Sequence, residues 1–238
     1  MKTKKLMLFI YDFPHKKTQD FLFKLIVEDY KIDYCIAAPW KKLNIPPSEV
    51  RIDQRHQGLI HPRKMCEYFN IKYLSSDHDS QETIDYIKKN PVDLYIISGA
   101  RILNKDVIEA CKGRVLNIHP GFLPAVRGLD TFLWSIFYKK PLGISAHFIT
   151  PKIDSGLLIY KEKLPIYKDD TALDITLRLL EYQTDILIKA LKKLEEKKLE
   201  NLVDLSKYED SYNTKMDNKL ERETLDHLKE WIGIFADE

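Results

Sequence analysis

Short apolar runs and amphipathic stretches take turns along most of this chain. The apolar runs, Lys5 to Tyr11, Ile32 to Pro39, Ile71 to Ser75, Val92 to Ser98 and Val115 to His119, are strand-length and rich in β-branched and aromatic residues. Between them, Thr18 to Tyr30, Pro62 to Phe69, Gln81 to Lys89 and Lys105 to Cys111 repeat apolar positions at helical spacing. Strands alternating with helices predict a Rossmann-like α/β fold, a mostly parallel sheet flanked by helices. Two further β-type runs, Ser145 to Thr150 and Leu157 to Leu164, extend that sheet. A long helix then carries Leu173, Leu177, Leu180, Leu187, Leu191 and Leu194 as an apolar stripe, and Thr171 with Asp174 marks its start in the manner of a capping box. We expect residues 1–199 to form one catalytic domain. Residues 200–238 form a short C-terminal helix/hairpin extension, anchored by Tyr208, Tyr212, Trp231 and Phe235, with a short helix over Leu220 to Ile232.

Composition narrows the class. The chain has 238 residues, 44% hydrophobic and 31% charged, enough for a substantial core and no sign of a disordered protein. Its 38 basic and 36 acidic residues leave a net charge of +2, which argues against a nucleic-acid partner. The apolar run Leu6 to Tyr11 is too short for a signal peptide, and nothing approaches the roughly 18 apolar residues of a membrane span. Three cysteines, Cys35, Cys66 and Cys111, form no C-x-x-C pair, so a cytoplasmic location fits. His56 and His61 with Cys66 match no common zinc spacing, and no metal is expected. Nor is a dinucleotide: the first strand runs into YDFPHKK, with no glycine before Gly58.

The chemistry concentrates in Arg114 to Gly128, RVLNIHPGFLPAVRG. In an extended strand Asn117 and His119 share a face while Leu116 and Ile118 point away, and Pro120 ends the strand. An amide donor beside an imidazole suits a reaction in which a carbonyl oxygen gains charge while an amine loses a proton. The run Gly143 to Gly156, GISAHFITPKIDSG, adds His147 and, seven residues later, Asp154.

Asn117, His119, Pro120, Leu123, Pro124, Gly128, His147, Asp154 and Gly156 together resemble the signature of the folate-dependent formyltransferases, over roughly Pro91 to Leu194. The resemblance implies that 10-formyltetrahydrofolate is the formyl donor and that Asn117, His119 and Asp154 are catalytic. It places the pteridine against backbone groups at Arg101, Ile102 and Leu103 and at Thr150 through Ile153. His147 is then a supporting or substrate residue, and Arg127 is able to meet a phosphate or carboxylate. Within the family the chain is most similar to nucleotide-sugar N-formyltransferases, whose acceptor is a nucleotide-linked amino-deoxy sugar and which are often homodimers. It shows neither the C-terminal barrel of methionyl-tRNA formyltransferases nor the regulatory domain of formyltetrahydrofolate hydrolases. Phosphoribosylglycinamide formyltransferase of purine synthesis is the alternative, weakened by the missing glycine loop after the first strand. A non-catalytic Rossmann-like binding protein is the other.

Overall fold

The computed structural model describes residues 2–42, 48–52, 58–152, 154–196, 202–208 and 212–237. It divides into two compact units. One comprises Met1–Lys42, Asp53–Ile118 and Phe148–Ser155, the other Leu43–Ile52, His119–His147 and Gly156–Glu238.

The first unit is built from strands β1 (Lys2–Tyr11), β2 (Tyr30–Ala38), β3 (Lys72–Ser75), β4 (Leu94–Ile97) and β5 (Val115–His119), interleaved with helices α1 (Lys16–Val27), α2 (Pro62–Tyr68), α3 (Gln81–Lys89) and α4 (Lys105–Ala110). All four pairings are parallel: β3 with β2, β2 with β1, β1 with β4, and β4 with β5. Leu6 through Ile10 are buried without a break, which is why β1 reads as continuous apolar sequence rather than as an alternation. Met7, Phe9, Ile36, Tyr95, Val107 and Val115 share one core with residues of α3 and α4. The chain works outward from β1 to β3 on one side and returns as β4 on the other. The carboxyl ends of β1 and β4 therefore flank a switch point, the place where open α/β sheets bind ligands.

Each helix of this unit starts on a side-chain cap. Ser80 and Asn104 accept from Thr83 N and Val107 N, and His15 and His61 do the same work with imidazole nitrogens, on Thr18 N and Arg63 N. His61 is thus a cap, the expected loop histidine; His56 lies outside the described residues. All three cysteines are buried free thiols.

The second unit carries α5 (Thr131–Phe137), β6 (Gly143–Phe148), β7 (Leu157–Lys163), α6 (Ala172–Glu195), β8 (Val203–Asp204), α7 (Asn218–Leu225) and α8 (Leu228–Phe235). β6 pairs antiparallel with β7, and β7 with β8. The capping box of α6 forms as expected: Thr171 Oγ1 accepts from Asp174 N and Asp174 accepts from Thr171 N. Its buried stripe differs in the first turns. Ile175, Leu179 and Gln183 are buried and Leu173 is exposed, so the inward face starts two residues later than the leucine spacing suggests.

The tail also differs from the sequence expectation. Instead of one helix over Leu220 to Ile232 there are two, separated at Asp226 and His227. α7 buries Glu221 and Thr224, whereas α8 buries Trp231 and Ile232. Trp231 packs against Phe132, ring centroids 6.2 Å apart, and its indole donates to Lys140 O at 2.9 Å.

Candidate active site

At the end of β5 Asn117 is half-buried and His119 is 5% exposed, with Ile118 fully buried between them. Burial along the strand does not alternate, since Leu116, Ile118 and His119 are all buried. His119 is followed by a loop held at almost every peptide. Thr131 Oγ1 donates to Pro120 O. Ser145 Oγ donates to Gly121 O at 2.7 Å and accepts from Leu123 N at 3.0 Å, and Lys161 Nζ donates to Leu123 O at 2.8 Å. The Leu123–Pro124 peptide is cis. Lys161 also lies 4.3 Å over the Phe122 ring, and burial lowers the pKa of its ammonium.

Gly121 has a steric duty in this loop. A Cβ there would stand 2.5 Å from His119 Nε2 and 3.0 Å from Thr131 Cγ2, so only glycine lets the backbone pass this close to the imidazole. His147, fully buried on β6, meets His119 edge to face with ring centroids 6.4 Å apart at 87°. The two histidines are thus brought together, with His147 behind His119 in the protein interior. Asp154 is half-buried with φ 46°, a left-handed conformation that aspartate tolerates better than most residues, and Gly156 two positions on has φ 103°.

The residues expected to meet the pteridine fall into different settings. Ile102 is 71% exposed, Leu103 is buried in the core of the first unit, and Arg101 and Thr150 are half-buried. Leu103 therefore offers a ligand its backbone only. The Arg101 charge reaches Tyr11 at the end of β1, where it partly opposes the rise that burial imposes on the phenol. Ile153 lies outside the described residues.

Arg127 is almost fully buried and its guanidinium donates to Leu205 O at 2.7 Å. It ties the loop after β5 to the tail. The tie is continued by backbone: Asn213 N donates to Arg127 O, Leu129 N donates to Asn213 O, and the Asp130 carboxylate accepts from Met216 N at 2.9 Å. At Gly128 a Cβ would lie 2.1 Å from Asn213 O, so this contact also demands glycine. Beside it opens a cavity of about 500 Å³ lined by Pro124, Ala125, Arg127, Tyr138, Tyr208, Tyr212 and Asn213. Its three tyrosines are each about half exposed. Gly121, Thr131, Ser145 and Lys161 were not legible as site residues: Gly121 acts by having no side chain, and the other three through partners 11 to 38 positions away.

Parallel strands with helical crossovers thus carry an amide and an imidazole at one strand end, followed by a buttressed turn, in an α/β fold. The pattern of the formyl transferase family matches residues 41–191, more than half of the chain, and the chain belongs to that family. It is 30% identical over 121 residues to the phosphoribosylglycinamide formyltransferase of Haemophilus influenzae, covering 50% of this chain and 57% of that one. Over 162 residues it is 25% identical to the methionyl-tRNA formyltransferase of Clostridium tetani, covering 67% and 48%. The chain thus spans about half the length of the curated relatives it matches. In fold it is similar to a sugar N-formyltransferase from a Shewanella species (TM-score 0.62, 18% identity, 95% of this chain and 88% of that one). It is equally similar to glycinamide ribonucleotide transformylase 1 from Symbiobacterium toebii (TM-score 0.63, 20% identity, 85% and 94%). Among the described residues no helix is long and apolar enough to cross a membrane.

Proposed function

We propose that the protein transfers a formyl group from 10-formyltetrahydrofolate to the primary amine of a nucleotide-linked amino-deoxy sugar, as a cytoplasmic enzyme supplying surface-glycan synthesis. Membership of the formyl transferase family supports the reaction class. The observation that carries the acceptor is the tyrosine-lined cavity, which lies against the loop after His119 and has the size of a small-ligand site. Half-exposed phenol rings suit a flat nucleotide base, which stacks at little entropic cost.

In this reading the acceptor amine attacks the formyl carbon as the carbonyl π pair moves onto oxygen. Asn117 donates its amide N–H to that oxyanion. His119 accepts the proton the amine loses, and Asp154 tunes that charge or relays the proton to the leaving nitrogen. Collapse breaks the bond from carbon to N10 of the folate, which takes up one proton, so that formyl amide and tetrahydrofolate leave. Backbone groups from Arg101 to Leu103 and from Thr150 to Ile153 hold the pteridine. Residues 1–199 serve as the catalytic domain and 200–238 as the extension that completes the acceptor pocket.

Purine synthesis is the second reading, since sequence relatives act there by name. Against it, the turn after β1, YDFPHKK, holds no glycine of the kind a phosphate-cradling loop uses. Incubation with 10-formyltetrahydrofolate and a panel of nucleotide-linked amino sugars beside glycinamide ribonucleotide, followed by mass spectrometry, decides between them. Formylation of a sugar is expected, and Tyr212→Ala should then raise the KM for that sugar about tenfold with little change in kcat. Formylation of glycinamide ribonucleotide alone would move the protein to the second reading. Unaltered turnover in Asn117→Ala would remove the catalytic assignment, since such a donor contributes roughly 10² to 10³ in rate.

A further inference from the structure

Lys17 stands apart from the other lysines of α1. Lys16 pairs with Asp20 at 2.7 Å and Lys24 with Glu28 at 3.7 Å, each with a carboxylate four residues further along. Lys17 turns inward instead, passes over the Phe21 ring and donates Nζ to Ile118 O at 2.8 Å, across 101 positions of sequence. Ile118 is the residue between Asn117 and His119. We propose that Lys17 is a positioning residue for formyl transfer: its ammonium fixes the peptide that joins Asn117 to His119 and sets a positive charge, without a carboxylate partner, at the end of β5 that carries the oxyanion donor. The proposal rests on the catalytic reading of Asn117 given above.

Three observations support it. First, among the described residues the only polar partner of this ammonium is a backbone carbonyl, so no counterion offsets its desolvation. Desolvating a half-buried ammonium that has only a carbonyl for a partner is costly, and an aliphatic side chain would fill the space at less cost. Second, the turn that carries Lys17 is fixed against the sheet's carboxyl end. Thr18 Oγ1 donates to Ser98 O at 3.4 Å, and the Gly99 backbone lies against the side chains of Tyr11, His15 and Thr18. The ammonium is therefore held in place by its own helix. Third, the groups around it carry no negative charge. On α1 these are His15, Thr18 and Phe21. Burial and the Lys17 charge itself push the His15 imidazole down to about 4, so it is neutral near pH 7. On β5 it is the Ile118 carbonyl. Burial accordingly brings the Lys17 ammonium down to about 7, within the working range of an enzyme.

A positive charge beside a developing oxyanion lowers the barrier only while the lysine is protonated. The test compares wild type, Lys17→Met, Lys17→Arg and Asn117→Ala, each with kcat and the KM for 10-formyltetrahydrofolate measured from pH 5.5 to 9.5 on the acceptor found above. We expect wild-type kcat to fall as pH rises through about 7. Lys17→Met should lose about tenfold to a hundredfold in kcat at pH 6.5, keep its KM for the folate, and lose the alkaline fall. Lys17→Arg, charged throughout, should carry activity to higher pH. A merely structural strut would instead change stability and leave the pH profile in place. Lys17→Met with wild-type kcat and an unchanged profile would overturn the proposal while leaving the functional reading intact. If Lys17→Met fails to fold, an alkaline limb unmoved in Lys17→Arg overturns it equally. A wild-type protein inactive on every acceptor, with Asn117→Ala no different, would overturn the functional reading and this role with it.

Discussion

Gly121 and Lys17 are single residues whose chemistry comes from what they touch. An added methyl at Gly121 collides with the His119 ring at 2.5 Å. Gly121→Ala is therefore expected to displace the imidazole, reducing kcat at least tenfold, while strain costs about 1–3 kcal/mol in a urea midpoint measurement. For Lys17 the sign follows from its two states. The unfolded chain binds this proton up to about 10.5 and the native state only to about 7, so between those values the unfolded state holds more protons and native stability rises with pH. Wild-type stability, measured against Lys17→Met in parallel urea titrations, should gain up to about 1.4 kcal/mol per pH unit from pH 7 to 9.5 and stay level below pH 6. A constant difference would show that the ammonium is well solvated. The sequence singles out Asn117, His119 and Asp154 because an amide, an imidazole and a carboxylate stand there at a distinctive spacing. Gly121 and Ser145 could not, since one is defined by the absence of a side chain and the other by hydrogen bonds to a turn 22 to 24 positions away.

Among the elements, α6 and α5 mark the two ends of what periodicity conveys. α6 alternates faces over 24 residues and carries its own start signal, the reciprocal pair of Thr171 and Asp174. Thr171→Ala removes one half of that pair and should lower stability by about 1 kcal/mol without affecting turnover, a combination that a denaturation curve beside a kcat measurement can check. α5, TFLWSIF, gives no such signal: Thr131, Phe132, Leu133, Ser135 and Ile136 are all buried, so it has no polar face to set a period. Its leading residue is equally unrevealing. Asp130 has the identity of a helix cap, yet it sits at φ 48° without capping and uses its carboxylate to hold Met216 N instead. The strands of the first unit were legible because parallel strands buried on both faces are apolar throughout; β8, two residues long, leaves no pattern to read.

For the molecule as a whole, the tail is the part whose importance composition understated. Aromatic residues suggested an anchor, but not that Arg127 through Asp130 would be paired along their backbone with Asn213 through Met216, nor that Trp134 Nε1 would donate to Thr214 O. Such pairing is long-range, and each contact has a backbone atom on at least one side, which carries no sequence signature. Trp231, 1% exposed between Phe132 and Phe235, is the main anchor. Trp231→Ala should cost about 3–5 kcal/mol and, by loosening the tyrosine cavity, weaken acceptor binding more than folate binding; thermal melts and separate KM values for the two substrates measure both effects. The pairing also imposes a schedule on the newborn protein. Asn213 follows Arg127 by 86 positions, so at roughly 5–20 residues per second the ribosome delivers the partner of the loop after β5 on the order of ten seconds after the loop itself. Until then the loop after β5 lacks the backbone partners that Asn213 supplies, so its final shape waits for the last residues to be made.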